Sequence, residues 1–138
     1  MSGITELDSL ITSMSPKLND GDFVFCTTRQ PIAEMMALEP IATFCEEEGS
    51  TLILTQDAAD SAELNYDGLF KQITLSVHSS LQAVGLTAAI SRKLTEKNIS
   101  ANVIAAYYHD HIFVPKEKAR EAMLALKELV NEKQPIAD

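Results

Sequence analysis

A chain of 138 residues, 46% of them hydrophobic, holds enough apolar material for a real core and is too short for more than one large domain or two intimate small ones. Its formal net charge of -9 opposes non-specific binding to nucleic acid or to an anionic membrane, because both need a basic surface and the eleven Lys and Arg are scattered or offset. Acidity of this degree is ordinary for soluble proteins and does not by itself specify a ligand.

Cys26 and Cys45 are too few for a disulfide framework, and each lies in an apolar stretch that reads as strand, so both are expected to be buried thiols. Residues 1–6 lack a basic region followed by an apolar run, and nowhere do eighteen apolar residues stand together. A cytoplasmic protein is expected.

In chain order, Ile4, Leu7, Leu10 and Ile11 share one helical stripe with Glu6 and Asp8 outside it, which predicts a short leading helix over residues 4–13. Pro16 and the turn signal Asn19, Asp20, Gly21 end it. Residues 22–28 are β-rich and predict a strand. Pro31 and Pro40 then bracket room for one or two helical turns and no more. Residues 41–45 and 51–55 flank a polar loop with Gly49, a hairpin signature in which Glu46, Glu47 and Glu48 form a solvated turn. Asp57 can cap a short helix through Leu64, which residues 65–68 break.

The second half repeats the order more cleanly. Ile73, Leu75 and Val77 alternate with Thr74, Ser76 and His78, the period of a strand with one buried face. Ser79 or Ser80 can cap a following helix to about Lys97, whose Ala83, Leu86, Ile90 and Leu94 share a face, with Gly85 in its first turn. A glycine there costs a helix about 1 kcal/mol relative to alanine. The missing side chain either lets a ligand approach free N–H groups or lets helix and sheet pack tightly. Residues 98–108 give a turn and a strand apolar on both faces, which reads as interior. His109 and Asp110 turn into a strand over residues 111–115, and from Lys116 a helix carries Ala119, Ala122, Met123, Leu126 and Val130 on its stripe. Two consecutive strand-helix-strand-strand-helix orders predict an α+β chain of two ferredoxin-like subdomains, with antiparallel sheets and helices on one face.

Val84 to Leu94, the strand entry Asn98 to Tyr108, and His111 to Pro115 together resemble the ACT domain, the amino-acid-sensing module of aspartate kinases and related regulators. The whole chain is similar in plan to the tandem ACT units of aspartate kinases and of eukaryotic cytosolic arginine sensors. The resemblance implies a βαββαβ unit over residues 69–138 and a degenerate ACT-like unit over residues 1–68 with a leading helix, the latter lacking most of its first helix, together one compact domain. It also implies a ligand, an amino acid or similar small zwitterion, held by backbone groups where the turn after a first strand meets another unit. Carried over, those positions are Ser79, Ser80, Val84, Gly85 and Leu86, with Asn102 as a side-chain partner. A homo-oligomer is implied as well, because such sites form between units.

The three histidines, His78, His109 and His111, together with Asp110, could converge at one edge of the predicted sheet. Imidazoles and a carboxylate suit zinc or another divalent ion, while a His-Asp-His turn is equally a solvated hairpin. Histidines lining an amino-acid site would instead make binding depend on pH near neutrality.

Among function classes, catalysis has the least support: no nucleophile has a readable base, no glycine-rich phosphate loop is present, and no cofactor is expected. The leading expectation is a non-catalytic regulatory module that binds an amino acid and acts through oligomerisation or a separate protein partner. The alternative is a structural or interaction protein of the same fold that assembles through sheet edges without a ligand.

Overall fold

The computed structural model describes residues 2–77 and 84–134. They form two compact units, one of residues 20–71 and the other of residues 1–19 with 72–138.

In the unit of residues 20–71 the strand Phe23–Thr28 (β2) pairs antiparallel along its length with Gly49–Thr55 (β4), and β4 pairs with Ala42–Glu46 (β3). On its other side β2 meets Phe70, the first residue of the strand Phe70–Leu75 (β5), opposite Phe23. Alternation along β2 and β4 turns Val24, Cys26, Leu52 and Leu54 to one face, where they form a core with Ala59 of the helix Gln56–Ser61 (α3). The place of a first ferredoxin helix holds only the four-residue helix Ile32–Met35 (α2) and a 3-10 turn Met36–Leu38, as the prolines at 31 and 40 dictate. The cap of α3 is Thr55, whose hydroxyl accepts from the Ala58 N–H at 3.2 Å; Asp57, the expected cap, lies in the first turn. Cys26 is buried, but Cys45 is exposed, because β3 ends the sheet and turns that residue outward. β4 lies between the two cysteine-bearing strands, and both thiols are free.

In the other unit the strand Pro16–Leu18 (β1) pairs antiparallel with residues 73–75 of β5; next come Asp110–Pro115 (β7) and then Asn102–Ala105 (β6). Ile73, Leu75, Ile112 and Val114 point to one face of this sheet, where three helices cover them. These are Ser2–Ser13 (α1), Leu86–Glu96 (α4) and Ala119–Lys133 (α5). They contribute Ile11 from α1, Leu86, Ile90 and Leu94 from α4, and Ala122, Ala125, Leu126 and Leu129 from α5, all buried. The leading helix, grouped by sequence order with residues 1–68, thus packs on α4 and α5, and the short strand after it supplies the fourth strand of a ferredoxin-like sheet. β6 corrects the reading of residues 98–108 as an interior strand: only four residues are extended, they pair with β7 alone, and Tyr107 and Tyr108 are exposed at the hairpin tip. The turn runs from Ala106 to His109, whose carbonyl accepts the Ala106 N–H, so Asp110 is already strand and is buried.

Each unit is thus an antiparallel sheet with helices on one face, the α+β ferredoxin-like plan, and the first has lost most of its first helix. Among the described residues no helix is long and apolar enough to cross a membrane.

Candidate functional site

The start of α4 differs from its sequence reading. The helix begins at Leu86, and Gly85 is its capping residue rather than part of the first turn, with φ 104° and ψ -20°. That is left-handed backbone, which side chains rarely tolerate, and it explains the glycine without reference to a ligand. Gly85 itself offers no side chain to cap the helix. The first intrahelical bond recorded there runs from the Ala89 N–H to the Gly85 carbonyl at 2.9 Å. The N–H groups of Leu86, Thr87 and Ala88 therefore precede the helical ladder, at the end where the helix dipole favours negative charge. Val84 stands beside them, 87% exposed, while the Leu86 side chain is buried in the core.

Leu7 of α1 closes one side of this turn. A Cβ built on Gly85 would stand 3.0 Å from Leu7 Cδ2, so tight packing is one use of the missing side chain. Asn102, at the start of β6, donates from Nδ2 to the Phe113 carbonyl at 3.3 Å, within its own hairpin. Ser79 and Ser80 lie outside the described residues, as does His78.

The other two histidines have different partners. His109 Nδ1 lies 3.5 Å from the Val77 carbonyl. His111 Nδ1 faces Thr74 Oγ1 at 3.0 Å and Gln72 Nε2 at 3.3 Å. Asn19 Nδ2 donates to Thr74 Oγ1 at 2.8 Å, so the His111 ring belongs to a short polar chain of Asn19, Thr74 and Gln72. Burial pushes the His111 pKa below the usual histidine value, His109 adds to that, and Asp110 opposes it. Among the described residues no three His, Cys, Asp or Glu side chains are grouped to hold a metal ion.

Leu7, Asn19, Gln72 and Thr74 were not legible as parts of these arrangements. For Thr74 the strand alternation that turned it away from Ile73 and Leu75 was a signal. For Leu7 and Asn19 there was none, because their contacts are to residues more than fifty positions away.

Comparison with known proteins places both halves of the chain. Residues 2–71 match one model of the ACT domain, and residues 70–128 match a second. A Vibrio cholerae protein, described in its crystal structure as a possible transport protein of unknown function, is 56% identical over 93% of this chain and 98% of its own, with a TM-score of 0.85. The fold is shared at much lower identity. An Agrobacterium tumefaciens protein superposes with a TM-score of 0.68 at 12% identity, covering 85% of this chain and 89% of that one. The ligand-free regulatory subunit of aspartate kinase from Thermus thermophilus does so with 0.57 at 13%, covering 85% and 98%. A search of curated proteins finds no match. The protein belongs to the ACT-domain family and carries two ACT domains in tandem.

Proposed function

We propose that this protein is a non-catalytic regulatory module that binds an amino acid or a similar small zwitterion at the start of α4, and transmits occupancy through self-association or a separate protein partner. The observation that carries the reading is the N-terminus of an eleven-residue helix that opens on a glycine: three N–H groups precede its ladder, with the exposed Val84 next to them. Such an end suits a carboxylate. Leu7 fills the space over Gly85, so the ligand would approach along Val84 and the N–H groups that follow Gly85 rather than over the glycine itself. Ser79 and Ser80 complete the proposed set from the resemblance, with Asn102 as a side-chain partner. The precedent is an aspartate kinase regulatory subunit of the same fold. The setting we propose is the cytoplasm.

Titration calorimetry with each of the twenty amino acids, on the wild type and on Val84→Asp, tests this. The new carboxylate would occupy the same N–H groups and repel that of the ligand, while leaving the core untouched. At least tenfold weaker binding is expected, and equal affinity in the variant counts against the site.

A second reading, assembly without a ligand, draws on Phe44, which is 70% exposed on the end strand β3. Under it no amino acid binds, and Phe44→Asp abolishes self-association.

A further inference from the structure

The unit of residues 20–71 holds a cleft of its own. β2 pairs with β4 along its whole length but meets β5 at one position, Phe23 opposite Phe70. Upstream of Phe70 the chain stands off from β2, and a cleft of about 470 Å³ opens, lined by Phe25, Thr27 and Thr51 of the sheet and by Asn65, Tyr66 and Asp67. The wall at Tyr66 is fixed: its hydroxyl donates to Asp60 Oδ1 at 2.8 Å and accepts from Gln56 Nε2 at 3.1 Å, both on α3.

The chemistry of the lining selects by charge. Its polar groups are hydroxyl oxygens, an amide and the Asp67 carboxylate, and it contains no Lys, Arg or His. The Thr51 hydroxyl already donates to Glu46 Oε1 at 2.7 Å, so toward the cleft it can only accept. Cys26, at the edge of the lining, is held as the neutral thiol because burial raises its pKa. Around the cleft the unit carries eleven Asp and Glu against Arg29 and Lys71, a balance of -9 that equals the formal charge of the whole chain. Lys71 is engaged with Asp22 at 2.9 Å and with the Gly21 carbonyl. A ligand carboxylate or phosphate would find no counter-charge there. A cation would find a field of the right sign and two aromatic rings. Among the described residues no metal-ligating cluster accompanies it, so the cation is organic.

We propose that this cleft binds a small organic ammonium ion, a primary amine on a short apolar chain, with the ammonium on Asp67 and its neighbouring oxygens and the chain against the aromatic part of the lining. The site is separate from the one at α4 and takes the opposite charge.

Titration calorimetry of the full-length protein with putrescine at low ionic strength tests it, because exposed charges are screened by salt. Saturable one-site binding is expected, at least tenfold weaker in Asp67→Asn and absent with 1,4-butanediol, which has the same chain without the charge. Asp67 is exposed, so the variant keeps its fold. The double substitution Glu47→Gln and Glu48→Gln removes more charge from the hairpin tip outside the cleft and should change affinity less than twofold. Val84→Asp should bind putrescine as the wild type does, which separates this site from the one at α4. The proposal is overturned by no saturable binding to the wild type, by unchanged affinity in Asp67→Asn, by equal binding of the diol, by loss of binding in Val84→Asp, or by a loss in the Glu47 and Glu48 variant as large as that in Asp67→Asn.

Discussion

Leu7 and Gly85 are in contact at the start of α4, and a Cβ on the glycine would come within 3.0 Å of Leu7 Cδ2. Two effects therefore oppose a side chain at 85: the left-handed backbone and the leucine. Gly85→Ala is expected to cost about 2 kcal/mol, of which the backbone accounts for roughly 1–2 kcal/mol. In a Leu7→Ala background the alanine should cost less, though not nothing, since only the steric part is relieved. Equilibrium urea unfolding of the four proteins in the cycle checks this. Equal costs in both backgrounds would mean that the contact carries no energy.

Thr55 and Asp57 give a cleaner comparison. Because the Thr55 hydroxyl accepts from the Ala58 N–H, Thr55→Ala should lose about 1 kcal/mol, the usual worth of a helix cap. Asp57→Ala leaves that bond intact and should lose about 0.5 kcal/mol or less, as a charge near a helix start does. Chemical denaturation of the two variants would reveal the reverse order if Asp57 were the cap.

His111 makes stability depend on pH. Burial lowers its pKa from the ordinary 6.5, so on acidification the unfolded chain takes up the proton first. The histidine contributes no loss above the unfolded value. Stability should fall as pH drops through 6.5 and level off below the lowered folded value. His111→Gln should flatten this part of the profile between pH 7 and pH 5, and an unchanged slope would assign it to other groups.

The cysteines should differ in reactivity. Cys45 is exposed, whereas Cys26 is buried with its pKa raised. A thiol reagent should therefore modify one cysteine per native chain quickly and the second only on unfolding. Peptide mapping should find the fast label on Cys45.

Much of this architecture was legible because local periodicity and burial agree. β2, the β3–β4 hairpin and α5 each carry the pattern of the face they bury, and Pro31 with Pro40 already limited the first helix of the first unit. The errors arise where neighbours in space decide. Residues 98–108 are apolar on both faces, yet β6 ends its sheet, since strand order depends on pairing partners that no local pattern encodes. Residues 16–18 carry no β signal of their own and become the fourth strand of a sheet through pairing with residues 73–75. Thr55 was passed over as a cap because it looked like the end of a strand, which it also is. Val84, Gly85 and Leu86 were legible as a turn and helix start. The use of Gly85 by Leu7 was not, because helix α1 approaches from the far end of the chain.

The central claim is that the start of α4 takes an amino acid. A thermal-shift screen of the twenty amino acids against the wild type, Val84→Asp and Asp67→Asn tests it most directly, because a ligand that binds only the folded state at a hundredfold excess over its Kd adds about 2.7 kcal/mol of stability. The account predicts a rise in Tm with one amino acid or a few close analogues, lost in Val84→Asp and retained in Asp67→Asn. No shift with any amino acid, or a shift that Val84→Asp retains in full, would contradict it.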